Sequence, residues 1–146
     1  MVNSDPKIIN GNLAIDDRGV VSFTNEFNFV GVKRFYQVVN HKRDYIRAWH
    51  GHKLEEKYVW IAKGSAMLGV VPLDADEGDL SQVKRFYMSD KKPQILHVPG
   101  GNFNGFKTLE ENTIIIFFST GTLEEAATDD FRQNYLKWNI WNEDFR

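Results

Sequence analysis

Turn-forming residues recur along this chain at intervals too short for regular helices, as at residues 10–12, 16–19, 40–44 and 99–101. The runs between them are short and rich in β-branched and aromatic residues, which favour strands. Only Leu123–Ala127 suggests a helix, of a turn or two. About nine short strands between frequent turns predict an all-β fold, a closed or two-sheet antiparallel barrel whose mouth can hold a small ligand.

Four segments carry more specific expectations. The apolar runs on either side of residues 63–65 predict a hairpin around Gly64. Residues 113–118 form the most hydrophobic run, which predicts a central strand buried on both faces. Residues 72–81 predict a solvated loop, because they combine acidic residues and turn formers with no apolar periodicity. A calcium site is not expected there, because the closing glutamate is absent. The aromatic tail at residues 135–141 is too apolar to stay in water, so we expect it to cover the barrel or to bridge to a second subunit.

Composition excludes several classes of function. The net charge of −2 and the lack of a long basic run argue against a nucleic-acid partner. The absence of cysteine excludes disulfides, thiolate zinc sites and a cysteine nucleophile, and it favours a cytoplasmic location. No segment approaches the roughly 18 apolar residues of a membrane span, and the N-terminus lacks an export signal. We therefore expect a protein that is neither exported nor bound to a membrane.

Two of the four histidines lie close together at positions 50 and 52. On a β-strand, residues i and i+2 face the same side, so His50 and His52 can point into one cavity while Trp49 and Gly51 face away. Histidine has an ordinary pKa of about 6.5, which suits a base that works near neutral pH. The sequence therefore predicts that the chemistry lies in residues 47–57.

Two motifs carry a family resemblance. Residues 47–53 read R-A-W-H-G-H-K, with Lys57 shortly after, and residues 98–106 read V-P-G-G-N-F-N-G-F. Together they resemble the cupin sugar-nucleotide enzymes, the dTDP-4-dehydrorhamnose 3,5-epimerases and the dTDP-sugar 3,4-ketoisomerases. The histidine motif is more similar to the ketoisomerases and the glycine motif to the epimerases. The resemblance implies a single cupin (jelly-roll) domain over residues 1–146, with a barrel core at about 17–120 and a tail at 121–146.

The resemblance also implies a reaction. It is proton transfer next to the ketone of a nucleoside-diphosphate 4-keto-6-deoxyhexose, without metal or other cofactor, in deoxysugar or polysaccharide biosynthesis. The nucleotide would be dTDP and the protein a homodimer. His50 would be the base, and His52 would be a second acid/base or would orient His50. Arg47 and Lys57 would hold the diphosphate or the developing enolate oxygen, a role that needs fixed positive charge.

The chain departs from the epimerase pattern at two places. Asn104 stands where the epimerases have a histidine, and we expect it to contact the substrate instead. The tyrosine that acts as their acid would fall within residues 119–122, which contain none. A standard 3,5-epimerase would need Tyr135 or another residue as a substitute, whereas a ketoisomerase depends more on the paired histidines. By similarity, Arg18 could contact a nucleotide phosphate from a neighbouring subunit, although a turn role is equally compatible with its position.

Two other functions fit the same residues. A metal-dependent cupin could use His50, His52 and Glu56, whose spacing matches the first metal motif of that superfamily. Its third histidine would fall on Asn104, which is a poor ligand for such ions. A non-catalytic sugar-binding cupin would share the same barrel and much of the same pocket.

Several residues have structural interpretations. Glu55 and Glu56 are expected to be solvated charges near the start of a strand. His97 is expected at a strand end or in the pocket wall, and His41 in a surface loop. Aromatic residues such as Trp49 and Phe103 could stack on a base or a sugar, but most aromatic residues of the chain are expected in the core.

Overall fold

A computed structural model describes residues 5–142 as two five-stranded antiparallel sheets and a separate two-stranded sheet. In chain order the strands are β1 (Lys7–Asn10), β2 (Asn12–Asp16), β3 (Gly19–Phe23), β4 (Arg34–Val39), β5 (Ile46–His52), β6 (Lys57–Lys63), β7 (Ser65–Pro72), β8 (Lys84–Ser89), β9 (Gln94–Val98), β10 (Asn102–Thr108), β11 (Ile114–Ser119) and β12 (Phe131–Arg132). A 3₁₀ turn at Leu80–Gln82 and the helix α1 (Leu123–Ala127) complete the described elements.

The core lies between the two large sheets. Sheet A has the strand order β1-β9-β6-β11-β4, and sheet B has the order β12-β5-β10-β7-β8. Alternate residues of both sheets point inward and form one buried apolar cluster, which includes Val59, Leu68, Leu96, Phe106 and Phe117. This alternation is the period of two that a strand imposes on its side chains. The predicted all-β, two-sheet architecture is confirmed.

The aromatic tail covers the outer face of sheet B. Trp138 and Trp141 are 0% and 3% exposed, and both rings lie against Trp49, which points away from the core between the sheets. The indole Nε1 atoms of the two tail residues donate to the backbone oxygens of Asp76 and Tyr135. The prediction that the tail covers the barrel is confirmed, and Trp49 faces away from His50 as expected.

The predicted hairpin around Gly64 is wrong. The strands on either side of this residue belong to different sheets, because β6 pairs with β9 and β11 while β7 pairs with β10 and β8. Gly64 has φ +85°, a conformation that glycine adopts without strain. It therefore turns the chain from one sheet into the other, and the local sequence of such a corner resembles that of a hairpin.

The hydrophobic run at residues 113–118 forms an interior strand but is not buried on both faces. In β11, Ile115 and Phe117 point into the core, while Ile114, Ile116 and Phe118 on the outer face are half-buried. Phe118 packs there against Phe27 and Phe29. A layer of aromatic rings on the outside of sheet A therefore explains why this strand is apolar on both sides.

The remaining sequence predictions concern the helix, the acidic loop and the shortest strands. The helix at Leu123–Ala127 is confirmed, and a capping box between Thr122 and Glu125 fixes its start. Residues 74–79 lie in a largely exposed loop, as expected. Strands β1 and β12 were not predicted, since four and two residues are too few to show a pattern. Strand β2 was not predicted either, since Ile15 is its only β-branched residue. Within residues 5–142, no helix has the length and apolar character needed to cross a bilayer.

We expect Trp138→Ala to lower the free energy of unfolding by about 3–5 kcal/mol, because it empties a fully buried indole site between the tail and sheet B. The exposed tail residue Leu136 is the control, and Leu136→Ala should change the same quantity by less than about 0.5 kcal/mol. Urea unfolding followed by far-ultraviolet circular dichroism measures both. A loss in Trp138→Ala as small as that expected for Leu136→Ala would show that the Trp138 indole does not stabilise the barrel.

Candidate active site

An open cavity of about 720 Å³ lies between the inner faces of the two sheets. Sheet A contributes one wall, with Arg34, Tyr36, Lys57 and Phe117. Sheet B contributes the opposite wall, and helix α1 and the segment after it also line the cavity. The lining residues outside sheet A that carry the argument below are Arg47, His50, His52, Glu55, Asn104, Asp130 and Arg132.

A bulge in β5 brings an arginine and a histidine to the same wall. Asn104 lies opposite His50, but Phe106 lies opposite Arg47, so Gly105 faces two residues of β5. Residues three apart on a regular strand point to opposite faces, and the extra residue reverses this alternation. A Cβ atom at position 105 would lie 2.5 Å from that of Ala48, which explains the glycine opposite the bulge.

His50 is paired with a carboxylate from the segment that follows α1. Its Nε2 atom lies 2.7 Å from Oδ1 of Asp130. Burial and the charge of Lys57 lower the pKa of His50, and the hydrogen bond with Asp130 acts in the opposite direction. Because an ionised carboxylate only accepts, Nε2 of the neutral ring carries the proton and Nδ1 keeps a lone pair. The pair is thus a neutral base whose orientation is fixed by a carboxylate.

His52 lies beside His50, with ring centroids 4.8 Å apart, and it is almost completely buried. Its Nδ1 atom contacts the backbone oxygen of Asp129, and its Nε2 atom lies 2.9 Å from Oε2 of Glu55. Neither of these two atoms has a hydrogen-bond partner among the described residues, so the second contact is close without being a hydrogen bond. The two histidines therefore share one wall, as predicted from their spacing, but have different surroundings.

The expectation that Glu55 is solvated is wrong, because its side chain is only 3% exposed. Oε1 of Glu55 lies 3.2 Å from Nη2 of Arg34. Burial alone would raise the pKa of Glu55, but its contacts with His52 and the Ser119 hydroxyl, and the charge of Lys57, lower it to about 2. Favourable partners on several sides compensate for the cost of burying this charge.

Asp129 anchors the loop between β5 and β6. Its carboxylate accepts hydrogen bonds from the backbone N–H groups of Lys53, Leu54 and Glu55, over 2.7–3.0 Å. Burial acts to raise the pKa of Asp129, but these three donors outweigh burial and lower the pKa. Since its backbone oxygen also contacts His52, this residue positions both the loop and the ring.

Lys57 supplies a buried positive charge to the opposite wall. The residue is 3% exposed, and its Nζ atom lies 5.9 Å from the ring centre of Tyr36 and 5.7 Å from that of Phe117. Burial lowers the pKa of Lys57 to about 8, although Glu55 acts to raise it. Burial and the charge of Glu55 raise the pKa of Tyr36 to about 12, although Arg34 acts to lower it. At neutral pH the cavity therefore contains an ammonium group and a protonated phenol.

Three of the other predicted site residues have the following positions. Arg47 lines the cavity at an exposed position, and its Nε atom donates to Oδ1 of Asn40 over 2.7 Å. Asn104 also lines the cavity and donates from Nδ2 to the backbone oxygen of His50. Arg18 lies at the tip of the β2–β3 hairpin, where it pairs with Asp16, and it does not line the cavity of its own chain.

The residues of the metal hypothesis are separated. Nε2 of His97 lies 2.5 Å from Oε1 of Glu56, so this carboxylate is engaged away from His50 and His52. Among residues 5–142 no group of three or more histidine and acidic side chains is arranged to hold a metal ion. His97 stacks on Tyr58 and does not line the cavity, and His41 is exposed as expected.

Five charged or phenolic lining residues were not predicted as site residues: Arg34, Tyr36, Glu55, Asp130 and Arg132. For the first two a signal existed, because the alternation along β4 places Arg34 and Tyr36 on one face. For Asp130 no local signal existed, since it lies 80 residues from His50 in the chain.

Comparison with known proteins assigns this chain to a family. A family model described as dTDP-4-dehydrorhamnose 3,5-epimerase matches residues 4–142, nearly the whole chain. The chain belongs to this family. The predicted cupin fold and the predicted class of enzyme, an isomerase of nucleotide-linked sugars, are both confirmed.

Individual proteins that are similar to this chain extend the comparison. The spore coat polysaccharide biosynthesis protein SpsL of Bacillus subtilis is 27% identical over 105 residues, which cover 69% of this chain and 70% of SpsL. The structure of the epimerase of Bacillus anthracis, with TDP and PPi bound, has a TM-score of 0.73 at 23% identity, covering 88% of this chain and 78% of the epimerase. A 3,4-ketoisomerase from Helicobacter canadensis has a TM-score of 0.68 at 18% identity, covering 97% of this chain and all (100%) of the ketoisomerase.

We expect Asp130→Asn to lower the pKa of His50 further, because the negative charge that raises it is removed and a neutral amide oxygen is a weaker acceptor. A proton NMR titration that follows the ring Cε1–H signal of His50 measures this shift. Asp17→Asn changes the net charge equally at an exposed position in the β2–β3 turn and should leave the pKa of His50 unchanged. A pKa that rises in Asp130→Asn would contradict the pairing.

Proposed function

We propose that this protein is a 3,4-ketoisomerase of a dTDP-linked 4-keto-6-deoxyhexose, with His50 as the base that moves the proton. The observation that carries the proposal is the pairing of His50 with Asp130 in a cavity whose opposite wall holds Lys57. Removing a proton beside a ketone requires a base near neutrality and a positive charge for the enolate oxygen. This cavity contains both.

The charges suggest how a nucleotide sugar would lie. Arg47 and Arg132 are exposed lining residues, which suits binding of a diphosphate at the cavity opening. Lys57 is buried, so we assign it to the sugar oxygens. The TDP bound to the Bacillus anthracis relative supports dTDP as the nucleotide of this chain.

In the proposed reaction, Nδ1 of His50 takes the proton from C3 of the sugar. The C3–H bond breaks, its electrons form a C3–C4 double bond, and the former C4 carbonyl oxygen becomes an enolate beside the Lys57 ammonium. The C3 hydroxyl proton then passes to the oxygen on C4 as the ketone forms at C3. The same histidine returns its proton to C4. Asp130 keeps the ring oriented and stabilises the imidazolium that exists between these steps.

The absence of a tyrosine from residues 119–122 favours the ketoisomerase reaction, because moving a proton between adjacent carbons on one face needs a single base. The near-equal length of the ketoisomerase relative is in keeping with this choice. A second candidate is epimerisation, and Tyr36 favours it. Tyr36 lies in the wall of sheet A, opposite His50 in sheet B, and could protonate the other face of the sugar.

The deciding experiment is proton NMR of freshly made dTDP-4-keto-6-deoxyglucose in heavy water with metal-free enzyme. A 3-keto product would establish the ketoisomerase. Solvent exchange at C3 or C5 with retention of the 4-keto group would establish an epimerase and point to Tyr36 as its acid. Absence of exchange together with binding of dTDP would overturn the proposal in favour of a sugar-binding cupin, or of a metal-dependent enzyme if added metal restores activity.

We expect His50→Asn to slow the exchange of the C3 hydrogen by about 10²–10⁴-fold, because the proton acceptor is lost. This exchange is followed as the loss of the substrate C3–H signal in heavy water, since the 3-keto product has no hydrogen at C3. Binding of dTDP, measured by calorimetry, should change little, since the nucleotide contacts are assigned to arginines. Full exchange in this variant would contradict the assignment of His50 as the base.

We also propose that the protein is a homodimer located in the cytoplasm. The β2–β3 hairpin pairs only within itself among the described strands, and its Ile15, Val20 and Val21 are 69%, 59% and 64% exposed. A two-stranded hairpin with exposed apolar side chains is marginally stable alone, so we assign it to contact with a second copy. Arg18 at its tip would then meet the diphosphate in the neighbouring cavity.

The homodimer predicts a sedimentation mass of twice the chain mass of 16.9 kDa. We expect Val21→Asp to shift the protein toward the monomer, because it places a charge in the proposed apolar contact. Tyr87→Asp, at a similarly exposed position on the edge strand β8, should leave the dimer intact. A wild-type protein that sediments as a monomer at all concentrations would contradict this assembly.

A further inference from the structure

The second histidine of the pair has no ring nitrogen free to exchange a proton with a substrate. Nδ1 of His52 contacts the backbone oxygen of Asp129, which can only accept, so this nitrogen carries a proton. Nε2 is buried, and among residues 5–142 it has no hydrogen-bond partner. It lies instead 2.9 Å from the carboxylate of Glu55.

His50 differs in the same cavity. Its side chain is 37% exposed, against 4% for His52. Only Nε2 of His50 is engaged by a described residue, and this leaves the lone pair of Nδ1 available. The two neighbouring imidazoles therefore differ. Both ring nitrogens of His52 contact described residues, whereas only one ring nitrogen of His50 does.

Glu55 causes this difference. Its carboxylate lies 3.2 Å from Nη2 of Arg34, and its main chain is held by the backbone N–H, which donates to Asp129. The Ser119 hydroxyl and the charge of Lys57 also act on it. Because the carboxylate cannot move without breaking these contacts, it stays beside Nε2 of His52.

We propose that Glu55 is a positioning residue that holds His52 against the cavity wall, so that His50 alone exchanges protons with the sugar. His52 then supports the neighbouring His50 ring, with which it is in contact at 4.8 Å between centroids, and does not itself transfer a proton. This inference rests on the proposed function for its kinetic consequence, but its structural part concerns the ring of His52 in the free protein.

The structural part is tested by long-range ¹H–¹⁵N NMR of the histidine rings. We expect Glu55→Gln to shift the Nε2 signal of His52 strongly and to leave the signals of His97 in place. Glu56→Gln is the matched control, since the neighbouring carboxylate contacts His97 instead, and it should do the reverse. A His52 signal that does not respond to Glu55→Gln would overturn the proposal, whether or not the protein turns over a substrate.

The kinetic part compares His50→Asn with His52→Asn in the exchange of the C3 hydrogen, followed as the loss of the substrate C3–H signal in heavy water. We expect the loss in His52→Asn to be at least about tenfold smaller than the loss of about 10²–10⁴-fold in His50→Asn. Calorimetric binding of dTDP confirms that both variants are folded. If His52→Asn binds dTDP and loses as much exchange as His50→Asn, then His52 transfers protons and the proposal is wrong.

Discussion

The carboxylate of Asp129 holds together the two parts of the chain that form the site. One part is the strand β5 with its two histidines, and the other is the segment after α1. By accepting three backbone N–H bonds from residues 53–55, Asp129 fixes the loop that carries Glu55 and leads into Lys57. Its backbone oxygen contacts His52, and the next residue, Asp130, meets His50. Both histidines therefore depend on one short segment for their orientation.

The cavity is built from buried charges that compensate one another. Glu55 and Lys57 are 6% and 3% exposed, and their isolated burial would be costly. Arg34 and His52 surround the carboxylate, while aromatic rings face the ammonium group. Such charges are already oriented before a ligand arrives, so little reorganisation is needed when an oxyanion develops nearby. Apolar side chains pack the interior of the barrel, whereas preorganised charges line the cavity at its open end.

The sequence was informative wherever a pattern is local. The turn spacing predicted the all-β fold, and the i, i+2 rule placed His50 and His52 on one wall. The corner at Gly64 was misread because a change of sheet looks locally like a hairpin. Glu55 looked solvated for a different reason: the contacts that bury it come from Arg34 and Asp129, which lie 21 and 74 residues away in the chain. Contacts between residues so far apart in the sequence leave no periodic pattern, so they could not be predicted from the sequence alone.

The position of Asp130 in the chain sets the order in which the site can be assembled. During synthesis the N-terminal parts of a chain are available first. The histidine strand emerges 80 residues ahead of the carboxylate that orients it. The two sheets can therefore collapse around their apolar core before the proton-transfer machinery exists. A nascent chain that ends before residue 129 contains the strands of the apolar core but neither Asp129 nor Asp130, so the residues that begin the fold precede those that complete the chemistry.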